Sequence, residues 1–199
     1  MHVGMSVIFQ NPDEQVPDQQ IYQQDVALAL QAEGLGFDSV WSVEHHFTSY
    51  TMCPDVLQFL TYMAGATKSI QLGSMVCVLP WHDPLRVAEQ ISMLDNLSDG
   101  RLILGLGRGT GKVEFDGFRT EMASARLRFK ESTELVLNAL ENGYAEYSGE
   151  IIQQPRVDIR PRPIKSMRGR AYAAAVSPDS ARIMAEMGVG ILIVPQKPW

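Results

Sequence analysis

Leu102-Ile103-Leu104-Gly105-Leu106-Gly107-Arg108-Gly109-Thr110-Gly111 is the stretch on which the reading of this chain turns. An apolar run short enough for one buried strand gives way at once to glycines around a single arginine. The pattern predicts a strand that leaves a core and opens into a site. Glycine lets the backbone approach a ligand closely, and Arg108 offers a planar fork of donors to a phosphate or carboxylate. A glycine-rich turn with a solvated arginine is the alternative that the segment alone leaves open.

Reading outward from it, Ser98-Asp99-Gly100 turns the chain into this strand from a helix that ends near Leu97. That helix starts at Asp83-Pro84, a cap followed by an N1 proline. Before it lies a strand from Ile70 to Leu79, and before that a helix to about Thr67 with Pro54 in its first turn. Phe37 to Val43 is a further strand, which breaks into Glu44-His45-His46-Phe47. Val3 to Phe9 is the first strand. A helix to about Glu33 follows it, capped by Asp18, with Ile21, Val26, Ala29 and Leu30 as its apolar stripe and Gly34 and Gly36 at its end. Downstream of Gly111, a long helix is predicted from Ser124 to Glu141, stopping at Asn142-Gly143. The segment 144–170 departs from the pattern and reads as an inserted hairpin and loop. Ala171 to Val176 is then a strand, Ser177-Pro178-Asp179-Ser180 opens a helix to about Met187, and Gly190 to Val194 is a sixth strand.

Strand and helix alternate in the manner that parallel sheets require. An open doubly wound sheet and a (β/α)8 barrel both satisfy this. The barrel is favoured, because no dinucleotide fingerprint follows the first strand and unusual residues recur after strands two to five alike. A barrel gathers all those strand ends on one face, whereas an open sheet concentrates its site at one switch point. The fold expected is therefore α/β, a (β/α)8 TIM-barrel type, here incomplete. A full barrel has eight strands and usually about 250 residues, against six predicted strands in a chain of 199 residues. The expectation is a single barrel domain over 1–199, truncated at its C-terminal side, with two strand edges that need cover.

Composition narrows the function classes. With 45% hydrophobic and 20% charged residues the chain reads as a soluble globular domain. A net charge of −6 argues against a dedicated nucleic-acid binder. The basic stretch Arg156 to Arg170, broken by prolines, reads as a solvated loop. Cys53 and Cys77 lack metal-like or disulfide-framework spacing. The N-terminal apolar run is too short for a signal or a membrane span, so a cytoplasmic protein is expected.

His45 and His46 sit where a barrel places catalytic groups, and histidine suits proton transfer near neutral pH. Adjacent histidines in extended chain point to opposite faces, so at most one is expected to meet a pocket. No third ligand is obviously paired with them, and no metal is assigned. Ser177-Pro178 puts a hydroxyl at a helix start whose free N–H groups favour an anion. A simple helix cap is the competing reading. If the fourth and fifth strands are neighbours, Arg108 and this helix start converge on one phosphate.

Glu44-His45-His46-Phe47 matches a known pattern when taken together with three further runs. These are Gly73-Ser74-Met75-Val76-Cys77-Val78-Leu79-Pro80, Asp83-Pro84-Leu85-Arg86-Val87-Ala88-Glu89, and Leu94-Asp95-Asn96-Leu97-Ser98-Asp99-Gly100-Arg101 leading into Gly107-Arg108-Gly109. In this order they resemble the bacterial luciferase-like flavin monooxygenases, over most of the chain. The resemblance implies a (β/α)8 barrel that binds reduced FMN, reacts it with O2 and oxygenates a small organic substrate such as an aldehyde or hydrocarbon. It matches His45 to the family's catalytic histidine, Arg108 and Ser177 to phosphate-binding positions, and Ser180 to a frequent threonine. Met75 and Val76 match a pair joined by a non-proline cis peptide against the flavin ring. Gly107 stands where luciferase has a reactive cysteine, Gly111 where its α subunit has a tyrosine, Val176 where it has a glutamate and Asp83 where it has a histidine. These departures favour a general monooxygenase over a light-emitting enzyme.

The expected partners are the substrate, O2, a separate flavin reductase and further copies of the chain. Two alternatives stand beside this reading: a non-catalytic flavin-binding protein with a shortened barrel, and an oxidoreductase using a deazaflavin. Trp81, His82, Phe115 and Phe118 are expected to offer apolar contact to a substrate.

Overall fold

The computed structural model describes residues 1–193. The chain runs through β1 (Gly4–Val7), α1 (Asp18–Gln31), β2 (Ser39–Ser42), α2 (Val56–Ala66), β3 (Gln71–Ser74), β4 (Cys77–Val78), α3 (Pro84–Leu97) and β5 (Leu102–Gly107). It continues through α4 (Lys112–Gly117), α5 (Ala125–Asn142), β6 (Tyr144–Ser148), β7 (Gln153–Asp158), β8 (Ala171–Ala175), α6 (Pro178–Glu186) and β9 (Gly190–Ile193). Val194, predicted as the last residue of the final strand, lies outside the described residues.

The main sheet has the order β1-β2-β3-β5-β8-β9, with β4 also on β5, and every pair in it is parallel. Neighbours in the sheet are thus successive strands of the barrel pattern, and the order never reverses. A doubly wound sheet reverses at its switch point, so this sheet is part of a barrel wall, an incomplete one. Its centre is β5, all of whose residues are buried, as expected of a parallel strand covered on both faces. Leu60 and Met63 of α2, Ile91 and Leu94 of α3, and Leu135 and Val136 of α5 pack with Leu72, Leu104 and Leu106 of the sheet into one core. Each such side chain contributes roughly 1.5–3 kcal/mol of burial free energy.

Several local predictions hold because their causes are local. Asp83 caps α3, its carboxylate accepting the Arg86 N–H at 3.0 Å, with Pro84 first in the helix. Gly143 ends α5 in the left-handed region at φ +78. Others need correction. Asp18 does not cap α1: Pro17 occupies the cap position and Asp18 is the first helical residue, accepting a hydrogen bond from the Asn11 side chain instead. Pro54 lies outside α2, because Asp55 behind it is the better acceptor and takes the Gln58 N–H at 2.9 Å. The predicted strand from Ile70 to Leu79 is two pieces, β3 and β4, interrupted at the cis peptide bond Met75–Val76. There the Ser74 hydroxyl accepts the Gly105 N–H and donates to the Gly105 carbonyl, both at 2.8 Å, so a side chain replaces two ladder bonds. Helix α4 was not foreseen, since six residues are too few to show a periodic stripe.

Between α5 and β8, β6 and β7 form a separate antiparallel pair. The turn after β6 folds onto Glu131 of α5, whose carboxylate accepts the N–H groups of Glu150, Ile151 and Ile152. The basic stretch that follows is not merely solvated. Arg156 lies over the Tyr144 ring, 3.5 Å from its centroid. Arg170 is mostly buried and pairs with the fully buried Asp95 of α3 at 2.6 Å.

One loop carries a pH dependence. Glu33, just beyond α1, accepts hydrogen bonds from the Ser69 hydroxyl and from the N–H groups of Ser69, Ile70 and Lys68. Those bonds, led by the Ser69 hydroxyl, lower its pKa from 4.5 to about 2. A folded value below the unfolded one stabilises the fold above the unfolded pKa and loses that stabilisation as pH falls toward the folded value. The stability gap between the native chain and Glu33→Ala is therefore expected to be widest at neutral pH and to shrink as pH falls from 4.5 toward 2. Urea midpoints at pH 7 and at about pH 3 test this; an unchanged gap would refute it. Among the described residues no helix is long and apolar enough to cross a membrane.

Candidate functional site

At the carboxyl ends of the strands lies a cavity of ≈ 1090 Å³. Its wall is built from the exits of β2 and β5, the Met75–Val76 link, Glu114 of α4, the first turns of α5, and the step from β8 into α6. His45, Met75, Val76, Gly107, Arg108, Ser177 and Ser180 all line it. The sheet brings them together. Leu104 is paired with Ala171 and Leu106 with Ala173, so Arg108, just past β5, and Ser177, two residues past β8, follow neighbouring strands into one cavity.

Arg108 is exposed to the cavity and has no ion pair among the described residues. At the start of α6 the two serines form a reciprocal cap. The Ser177 oxygen accepts the Ser180 N–H at 3.2 Å, while the Ser180 oxygen accepts the N–H groups of Val176 and Ser177 and its hydroxyl donates to the Ser177 carbonyl. Ser180 is thereby committed to the cap. Among the described residues the Ser177 hydroxyl hydrogen has only the Ser180 oxygen at 3.1 Å to donate to, and can turn to an incoming anion. Gly107 faces Val76 so closely that a Cβ there would overlap the Val76 Cγ2 methyl. A cysteine at this position has no room unless Val76 moves.

The two histidines do diverge. His45 reaches the cavity with its side chain 42% exposed, and its Nδ1 lies 2.8 Å from the Glu114 carboxylate. The same carboxylate oxygen accepts the His46 N–H at 3.1 Å, and Glu114 itself is buried. His46 turns the other way, packed edge-on against Phe118 and Trp81, with Nε2 3.0 Å from Glu44. Glu44 also faces His82 Nε2 at 2.6 Å and accepts the Val78 N–H at 2.8 Å. Burial pushes the Glu44 pKa up, but the hydrogen bonds from His46 and His82 outweigh it and hold the carboxylate below its usual range. His82 moves oppositely: burial depresses its pKa and the Glu44 carboxylate more than restores it.

Among the described residues Glu44, Cys77 and His82 bring possible ligand atoms within 4.8 Å of one another, but the Glu44 carboxylate is already bonded to His46, His82 and the Val78 N–H. The three lie up to 38 residues apart, so no local spacing signals them. Burial keeps both cysteines as thiols, raising Cys53 to about 11 and Cys77 well above its ordinary value.

Of the four residues expected to meet a substrate, Trp81 alone lines the cavity. Phe115 is buried edge-on against Trp81, Phe118 stacks on Trp81 from behind, and His82 is held by Glu44. The wall also includes the charged residues Glu114, Arg126, Lys130, Glu134 and Glu186, which no sequence pattern singles out. Nothing local to them signals a site, since each reaches the cavity only through the packing of its helix.

The family model of luciferase-like monooxygenases matches residues 1–199. The alkanal monooxygenase alpha chain of Photorhabdus luminescens is 31% identical over 168 residues, 84% of this chain and 46% of its own length. The oxygenase component of the flavin-dependent trigonelline monooxygenase of Acinetobacter baylyi is 27% identical over 197 residues, 98% of this chain and 54% of its own. This chain therefore spans about half the length of the curated relatives it matches. In three dimensions it is similar to the monooxygenase RslO1 from Streptomyces bottropensis, with a TM-score of 0.92 and 31% identity, over 100% of this chain and 61% of that one. A barrel wall of successive parallel strands, a cavity at their carboxyl ends and these matches lead to one conclusion: the chain belongs to the luciferase-like monooxygenase family.

Proposed function

We propose that this chain forms the flavin site of a monooxygenase that uses reduced FMN and O2 to oxygenate a small apolar substrate, such as an aldehyde or hydrocarbon. The observation that carries the reading is that Arg108, an arginine with no ion pair among the described residues, and the start of α6 at Ser177 follow neighbouring strand exits into one cavity. An FMN phosphate suits that pair: the guanidinium offers paired donors and the helix start offers a hydroxyl and a favourable dipole. Ser180 keeps the helix start in shape. Gly107, with no Cβ, lets the Val76 side chain pack directly against β5, and Met75 and Val76 together offer a bed for a flat ring.

Bound reduced flavin supplies the electrons that activate O2. His45 accepts or returns a proton at Nε2, the ring nitrogen facing away from Glu114. Leu127, Phe129, Ile183 and Met184 give the cavity an apolar wall that keeps water from the reacting centre. A separate reductase supplies the reduced flavin, by analogy with the relative that is itself an oxygenase component, and the chain self-associates to cover its open sheet edges.

Arg108→Ala tests the phosphate assignment. It is expected to weaken FMN binding by about 1.5–3 kcal/mol, roughly 10- to 100-fold, and to leave riboflavin, which has no phosphate, nearly unaffected. Equal losses for both ligands would sink the assignment. Oxygen-dependent turnover with added reduced FMN separates an enzyme from a non-catalytic flavin binder.

A deazaflavin reading draws on one observation, the further cation Arg126 on the cavity wall, beside Lys130, which is paired with Glu134 at 3.9 Å. Arg126 suits a cofactor with a longer anionic tail. Side-by-side titration with FMN and a deazaflavin decides between the two.

A further inference from the structure

His45 alone does not specify a base. A neutral imidazole carries its proton on either nitrogen, and which one is set by the partner of the other. In this structure His45 Nδ1 lies 2.8 Å from Glu114 Oε1, while Nε2 has no partner among the described residues. Glu114 is a poor candidate for a solvated surface charge, since its side chain is only 4% exposed. A carboxylate so buried requires donors, and those it has are the His45 ring and the His46 N–H.

The fold delivers Glu114 for this contact and for no evident local purpose. It lies in the six-residue helix α4, inside the segment that starts at Gly107-Arg108-Gly109, and meets a histidine 69 residues earlier in the chain. Its grip on the His46 N–H fixes the backbone of the loop that carries His45, and its grip on Nδ1 fixes the ring. As an acceptor-only group, an ionised carboxylate can take only the Nδ1–H form of a neutral imidazole. The lone pair is then left on Nε2, facing the cavity.

We infer that Glu114 is the positioning residue of the site, holding His45 as its Nδ1–H tautomer so that Nε2 meets the cavity as a proton acceptor. The inference rests on the proposed role of His45, and the His45–Glu114 pair is the additional claim. It predicts that Glu114 affects turnover and leaves cofactor affinity alone, because it touches neither Arg108 nor Ser177.

The test begins without flavin. Long-range proton–nitrogen NMR spectra of the full chain, labelled with 15N-histidine and assigned by loss of the His45 signals in His45→Gln, report the tautomer directly. The expected result is one Nδ1–H tautomer at His45 in the native chain. In Glu114→Ala it gives way to the Nε2–H form that free imidazoles prefer, and in Glu114→Gln, whose amide oxygen still accepts, it is retained. An Nε2–H tautomer in the native chain would overturn the inference even if no variant folded, and so would unchanged His45 signals in folded Glu114→Ala. Where oxygenation is measured, Glu114→Ala is expected to lower kcat about 10- to 100-fold with FMN affinity unchanged, and Glu114→Gln to recover part of that loss. If the tautomer result holds while the native chain oxygenates nothing, the monooxygenase reading falls and the pairing stands.

Discussion

His45→Ala is expected to lower substrate oxygenation by about two to four orders of magnitude, the usual contribution of a placed acid–base group, while FMN still binds with nearly native affinity. The reason lies in the division of the cavity. The proposed phosphate pair, Arg108 and Ser177, stands at the exits of β5 and β8, whereas His45 enters from the exit of β2. Removing the imidazole leaves both proposed anchors in place and takes away the histidine that lines the cavity. The measurement is oxygen-dependent aldehyde oxidation with photoreduced FMN, beside flavin affinity by fluorescence quenching. Parallel losses in turnover and affinity would make His45 a structural residue only. Because His45 and Glu114 act as one unit, the double variant is expected to be no slower than His45→Ala alone.

The largest effect on stability is expected at Asp95. It is fully buried on α3, with one carboxylate oxygen 2.6 Å from Arg170 Nη1 and the other accepting the N–H groups of Ile164 and Lys165 at 2.9 and 3.3 Å. Truncation to alanine strands a mostly buried guanidinium and two backbone donors, and breaking a buried pair in this way costs about 3–5 kcal/mol. Asp95→Asn, which keeps acceptors but no charge, is expected to lose less. Urea denaturation measures both, and a loss under about 1 kcal/mol for Asp95→Ala, typical of an exposed pair, would show that the contact contributes little. The consequence reaches the site. The Arg170 carbonyl accepts the Leu104 N–H at 2.8 Å, opening the β5–β8 pairing whose exits carry Arg108 and Ser177. A looser pair at Asp95 and Arg170 is therefore expected to weaken FMN binding as well.

Much of the site was legible in the letters because its signals are short-range. Glycines around Arg108, Asp83-Pro84 and Ser177-Pro178 each act over three or four residues, through a turn, a cap or a missing N–H. Asp18 and Pro54 show where such reasoning slips by one position: a residue with cap chemistry does not cap when its neighbour holds the boundary. The likeness to the family added residues whose roles no local rule supplies; His45, Met75, Val76, Gly107, Arg108, Val176, Ser177 and Ser180 line the cavity, whereas Asp83 and Gly111 stand at the starts of α3 and α4.

By itself the sequence determined the alternation of strand and helix and some helix ends, such as Asp83-Pro84 and Gly143, and it offered Arg108 and Ser177 as candidates to hold a phosphate, since hydrogen bonding and backbone sterics within a few residues decide these. Tertiary structure alone decided that the strands follow one another without reversal, which separates a barrel wall from an open sheet. It alone paired His45 with Glu114 and Asp95 with Arg170, across 69 and 75 residues. The physical reason is that a buried charge must find a partner wherever packing brings one, and that partner's place along the chain leaves no trace in local pattern.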